Sequence, residues 1–103
     1  MPTKKEKKNA ELFLNEISGT LTLFSLVEAI REGEEWTKKK MADELNVSPT
    51  YYSDFISGNK PVSPQKAASW ASHLGYDKLQ FVELAIQDQL ERYNLPYKVK
   101  LFA

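Results

Sequence analysis

The 103-residue chain contains no cysteine. That excludes a disulfide framework and a thiolate nucleophile or metal ligand. Histidine occurs once, at His73, with no second ligand of the right type at ligand spacing. A metal or catalytic role for it is not expected, and its place is the rim of the core or solvent. Glycine is scarce, at 4 residues, and no glycine-rich loop that could cradle phosphate is visible. The adjacent carboxylates Glu34 and Glu35 fall at an expected helix end and read as solvated. No nucleophile and base, metal cluster or cofactor loop is left, so neither an enzyme nor a cofactor is expected. Long apolar runs are missing too. Nothing reads as a bilayer span or a secretory leader, and a cytoplasmic protein without a membrane partner is expected.

An excess of positive charge is also missing. Lys and Arg number 14, and Asp and Glu number 14. Between Leu23 and Tyr76 the cations are Arg31, Lys38, Lys39, Lys40, Lys60 and Lys66, against Glu28, Glu32, Glu34, Glu35, Asp43, Glu44 and Asp54. That stretch is slightly acidic. Any binding to nucleic acid must come from how charge is distributed, not from its sum.

What is present is enough for one small domain. Hydrophobic residues make up 42% of the chain, which argues against wholesale disorder. Residues 1–21 hold a basic tail with Lys4, Lys5, Lys7 and Lys8, then a short helix over Ala10–Ile17 that Ser18-Gly19 breaks. The tail reads as a solvated terminus, with a phosphate-touching arm as the alternative. Thr22 caps the first core helix, where Leu23, Leu26, Val27 and Ile30 recur at helical spacing and Gly33 ends the run. Trp36 reads as a core residue between this helix and the next. Further on, Ser63-Pro64 opens a helix with Ala67, Ala68, Trp70, Ala71 and Leu74 inward, and Gly75 closes it. Asp77 and Gln80 form a capping-box pattern for the last helix. Leu79, Val82, Ile86, Leu90 and Tyr93 make one stripe of that helix, and Phe81 and Leu84 lie off it, a second apolar side suited to another subunit. After Asn94-Leu95-Pro96, the segment Tyr97-Lys98-Val99-Lys100-Leu101 alternates as a half-buried strand does.

The most organised stretch runs from Thr37 to Gly58. Thr37 caps a helix whose apolar face is Met41, Ala42 and Leu45. Asn46 tolerates the left-handed conformation that ends helices. Val47 buries the turn. Ser48 caps a second helix with Pro49 at its first position, and Tyr52, Phe55 and Ile56 face inward. With Ala42, the Leu45-Asn46-Val47-Ser48 turn and the following Phe55-Ile56-Ser57-Gly58-Asn59-Lys60, this stretch resembles the helix-turn-helix of the phage-repressor-like (Cro/C1, XRE) family. Ser63-Pro64 and Leu74-Gly75 fall where that family caps and closes its next helix, and the resemblance reaches out to about Leu23 and Tyr76.

The resemblance implies an all-α, five-helix lambda-repressor-like fold with its helix-turn-helix domain over residues 22–76, to which the alternating tail adds a short C-terminal strand. Residues 77–103 are then a dimerisation or partner-binding element using Phe81, Leu84, Tyr97, Val99 and Leu101. It also implies DNA binding, with the second helix of the motif in the major groove. Residues placed to touch DNA are Ser48, Pro49, Thr50 and Tyr51 at that helix's start and Ser53 and Asp54 one turn later. Lys38, Lys39, Asn59 and Lys60 are placed at the phosphates. Where the family commonly has Gln opening the first motif helix and a basic residue on the second, this chain has Lys38 and Asp54. The expected protein is a homodimeric transcriptional repressor on a palindromic operator. The rival expectation is an antitoxin that binds a toxin protein and represses its own operon; a further alternative is the fold without DNA binding.

Overall fold

The computed structural model describes residues 21–102. The basic tail and the helix expected over Ala10–Ile17 lie outside the described residues. Five helices follow in order: α1 (Leu23–Gly33), α2 (Lys38–Leu45), α3 (Pro49–Ile56), α4 (Pro64–Leu74) and α5 (Lys78–Arg92).

Short polar side chains start every one of them. Thr22, Thr37, Ser48 and Ser63 each accept a hydrogen bond from the backbone N–H three residues on, and Asp77 accepts one from Leu79. Each bond satisfies a donor that the helix itself leaves unpaired. Pro49 and Pro64 open α3 and α4 where a missing N–H costs nothing. Asn46, at φ 60°, and Gly75, at φ 79°, end α2 and α4 in the left-handed conformation. α1 ends at Gly33, where the sequence reading closed it, with Glu34 at the cap. The left-handed residue that follows is Glu35, at φ 59°.

One core joins all five helices. It is built on Leu26, Val27, Met41, Tyr52, Trp70 and Phe81, each fully buried. Trp36, Val47, Tyr51, Ile56 and Leu84 pack against its edge. The α4–α5 pair makes the most extensive helix contact, α2 packs on α3 and α4, and α1 packs on α3 and α5.

Two expectations for the C-terminal part are corrected here. The first is the face of α5. Phe81 and Ala85 are its buried residues, with Phe81 lying 6.1 Å from the Tyr76 ring. Phe81 is therefore a core residue and offers nothing to another subunit. The expected stripe of Leu79, Val82, Ile86 and Leu90 is only half-buried, and Tyr93 is exposed. The aromatic ring won the core position because it buries more apolar area than any aliphatic residue on the helix.

The second correction is the strand. Among the described residues there is none, and Tyr97–Leu101 runs as an extended segment along α5. Its alternation is present: Val99 and Leu101 are half-buried, while Lys98 and Lys100 are exposed. The N–H groups of Val99 and Leu101 are met by side chains of α5 instead of by another strand.

Candidate nucleic-acid interface

The turn between α2 and α3 is fixed by backbone bonds at both ends. The N–H groups of Asn46 and Val47 return to Asp43 and Ala42. Ser48 Oγ accepts from Tyr51 N–H at 3.0 Å. That bond gives Ser48 the work of a cap, with its acceptor turned to its own helix.

α3 divides cleanly into two faces. Tyr52 and Phe55 point into the core, and Phe55 stacks edge-on against Trp70 at 5.1 Å. Pro49, Thr50 and Ser53 are exposed, and Asp54 is half-buried. Lys38 and Lys39 stand exposed in the first turn of α2, and Asn59 and Lys60 are exposed just past α3. Thr50 and Ser53 thus lie on an outward face, with lysines at the start of α2 and beyond the end of α3. A helix presented in this way can offer hydroxyls to base edges and ammonium groups to phosphates.

Tyr51 stands apart from the other residues expected at DNA. Its ring meets Trp70 edge-on at 6.4 Å, and its hydroxyl donates to the Pro61 carbonyl at 3.4 Å. Lys66 Nζ lies 4.3 Å from the ring centroid and Lys60 Nζ 5.6 Å. The ring face attracts both cations. Tyr51 is therefore a post that gathers two lysines, and Lys66 is a basic residue of this face that the sequence reading missed. The available signal was its position in the first turn after Ser63-Pro64.

Two cations of the stretch are tied to carboxylates within the fold. Arg31 donates to Glu28 through Nε (2.9 Å) and Nη2 (3.0 Å), and Nη1 donates to the Trp36 carbonyl at 2.8 Å. Lys40 pairs with Glu44 at 3.1 Å. Each pair takes up one cation and one carboxylate, so the stretch keeps its slightly acidic sum, and Lys38, Lys39, Lys60 and Lys66 stand outside both pairs.

Glu28 also receives the Tyr52 hydroxyl, which donates to Oε2. This network bolts α3 to α1 and to the loop before α2. Burial acts to raise the Glu28 carboxyl, but the hydrogen bonds of Arg31 and Tyr52 and the charges of Arg31 and Lys38 outweigh it and hold it below its usual value. Burial, together with the Glu28 carboxylate, pushes the Tyr52 phenol well above its usual range. Sequence reasoning treated Tyr52 as one more apolar residue. Its hydroxyl was the signal, because a buried phenol needs a partner.

A second long-range tie comes from α5. Arg92 Nη2 donates to the Gly58 carbonyl at 3.1 Å while Nε pairs with Asp88 at 2.7 Å. Gly58, at φ 87°, begins the loop that carries Asn59 and Lys60. A helix-turn-helix family model matches residues 27–81, more than half of the chain. The chain belongs to the XRE-type helix-turn-helix family. No curated protein and no solved structure matches it. In this helix-turn-helix protein α2 and α3 are the two helices of the motif, and the protein is a DNA-binding regulator. No helix among the described residues is long and apolar enough to cross a membrane.

Proposed function

We propose that the protein is a homodimeric, cytoplasmic transcriptional repressor that binds a palindromic operator through α3. The observation that supports this most is the exposed Thr50–Ser53 face of α3, with Lys38 and Lys39 at the start of the motif and Lys60 just past it. Two-fold symmetry would set the two reading helices about 34 Å apart, or a multiple of that, to meet half-sites on one side of the duplex. Selection of binding sites from random duplex DNA tests the reading. A palindromic consensus is expected, and recovery of unrelated sequences would overturn it.

Within that reading, Thr50 is a base contact. Thr50→Ala is expected to weaken binding to the selected site by about 1–3 kcal/mol and to change binding to random DNA little. Fluorescence anisotropy on both duplexes checks this, and equal losses on the two would reduce Thr50 to a backbone contact.

Lys38 and Lys60 neutralise phosphates in the same reading. Lys38→Ala and Lys60→Ala are each expected to weaken binding on all sequences alike. The log–log salt dependence should flatten by roughly one unit for each phosphate that is no longer neutralised. An unchanged slope would remove that lysine from the interface.

A second reading is favoured by a separate observation. Tyr93, Tyr97 and Phe102 are 76%, 63% and 83% exposed at the C-terminal end. Large exposed apolar groups mark surfaces that meet other proteins. An antitoxin that covers them with a toxin protein while repressing its own operon fits them, and co-purification with the product of a neighbouring gene would separate it from a plain repressor.

A further inference from the structure

The C-terminal segment is held to α5 through its main chain. Gln87 Oε1 accepts from Val99 N–H at 2.8 Å, and Gln87 Nε2 donates to the Tyr97 carbonyl at 3.0 Å. One side-chain amide thus matches the C=O and N–H of residues two apart, as a neighbouring strand would. One turn earlier, Glu83 Oε2 accepts from Leu101 N–H at 2.9 Å. The spacing makes this regular. Four helical residues advance about 6 Å, and two extended residues advance about 6.6 Å. Side chains at i and i+4 of α5 therefore meet every second N–H of an extended chain. Glu91 accepts a further bond from Gln87 Nε2 at 3.3 Å and helps to orient the amide.

Little else fastens the segment. Val99 and Leu101 are only half-buried, Tyr97 and Phe102 stand in solvent, and a cavity of about 240 Å³ between Leu84, Gln87 and Val99 lies beside it. The connection to α5 is short and constrained. Asn94 is left-handed at φ 59°, its N–H and that of Leu95 return to Glu91 and Leu90, and Pro96 follows directly. A tight reversal of this kind invites exchange, since opening it relieves the turn and every bond made within one copy can be remade in another.

We infer that α5 is a main-chain-reading groove whose occupant in the dimer is the segment Tyr97–Phe102 of a second copy, exchanged reciprocally. The inference rests on the homodimer reading above. Exchange places each segment across the two-fold axis, so the hydrogen bonds to Gln87 and Glu83 become dimer contacts. The adjoining Tyr93 and Leu95 are carried into the junction.

Complementation between two defective chains tests the exchange. Gln87→Ala disables the groove and leaves the segment intact. Val99→Pro keeps the chain length but removes the N–H that Gln87 accepts, leaving the groove intact. Sedimentation velocity is run on each variant, on their equimolar mixture and on the full wild-type chain. Circular dichroism confirms that each is folded, and a chain ended at Pro96 replaces Val99→Pro if that variant is not.

Exchange predicts a dimeric wild type and at least a tenfold weaker self-association for each variant. The mixture should recover mixed dimers held by one intact junction. A dimeric wild type whose variants show no recovery on mixing overturns the exchange and leaves the homodimer reading standing. A wild type that is monomeric at every concentration overturns both.

Discussion

Trp70→Ala is expected to lower the stability of the domain by about 3–5 kcal/mol, the range for a large aromatic truncated in a packed core. The ring is 1% exposed and holds Phe55 at 5.1 Å and Tyr51 at 6.4 Å. Its loss would open a cavity beneath α3 and remove the edge against which the Tyr51 post stands. Phe55→Ala should fall in the same range, because Phe55 fills the other side of that contact. Domains of this size have total stabilities of about 5–15 kcal/mol, so either variant would lose a large share of the total. Urea denaturation followed by circular dichroism gives the measurement. A Phe55→Ala protein of normal stability would mean that the wrong face of α3 has been placed inward.

The second large effect is expected at Glu28. Its carboxylate accepts from Arg31 twice and from Tyr52 once. Glu28→Ala would leave a half-buried guanidinium without its counter-charge and a buried phenol without its acceptor. The site is partly solvated, which keeps the cost below that of a fully buried pair, at about 2–3 kcal/mol. The pH dependence has a definite sign. The carboxyl is depressed in the folded protein relative to its ordinary 4.5. Its contribution is therefore complete above about that value and is lost as pH falls through the lower folded value. Acid unfolding should steepen below pH 4.5 in the wild type, and Glu28→Gln should flatten that part of the curve. Identical curves for the two proteins would show that the network contributes nothing to acid stability. At the alkaline end the Tyr52 phenol, raised in the fold, adds a loss that begins near the ordinary phenol value of 10.0.

Comparison of sequence and structure separates what local chemistry decides from what packing decides. The caps at Thr22, Thr37, Ser48, Ser63 and Asp77 were legible because each acts within its own helix. So was the inward face of α3, where Tyr52 and Phe55 leave only one amphipathic solution. α5 was not legible in the same way. Apolar residues occur on several of its sides, and periodicity alone does not rank Phe81 against Leu79 or Val82. The Glu28–Arg31–Tyr52 network was missed because its members are 24 residues apart at the extremes, and each has an ordinary local role. For the C-terminal segment, alternation identified an extended chain with Val99 and Leu101 inward. It gave no sign that the partner would be side chains of α5. Lys66 was seen as a charge but not as a member of the face, since only the fold brings it over Tyr51.

The Arg92–Gly58 bond bears on how this protein can be cut and recombined. Residues 22–76 contain the whole motif, yet the loop with Asn59 and Lys60 is moored from Arg92, beyond that stretch. Phe81 and Ala85 complete the core beneath it. A fragment ended at Tyr76 would retain every residue proposed to face DNA while losing the mooring and the floor. The folded unit is longer than the motif and extends at least to Arg92 at the end of α5. Moving the loop with Asn59 and Lys60 into a related scaffold would lose this bond unless Arg92 and its partner Asp88 were carried along.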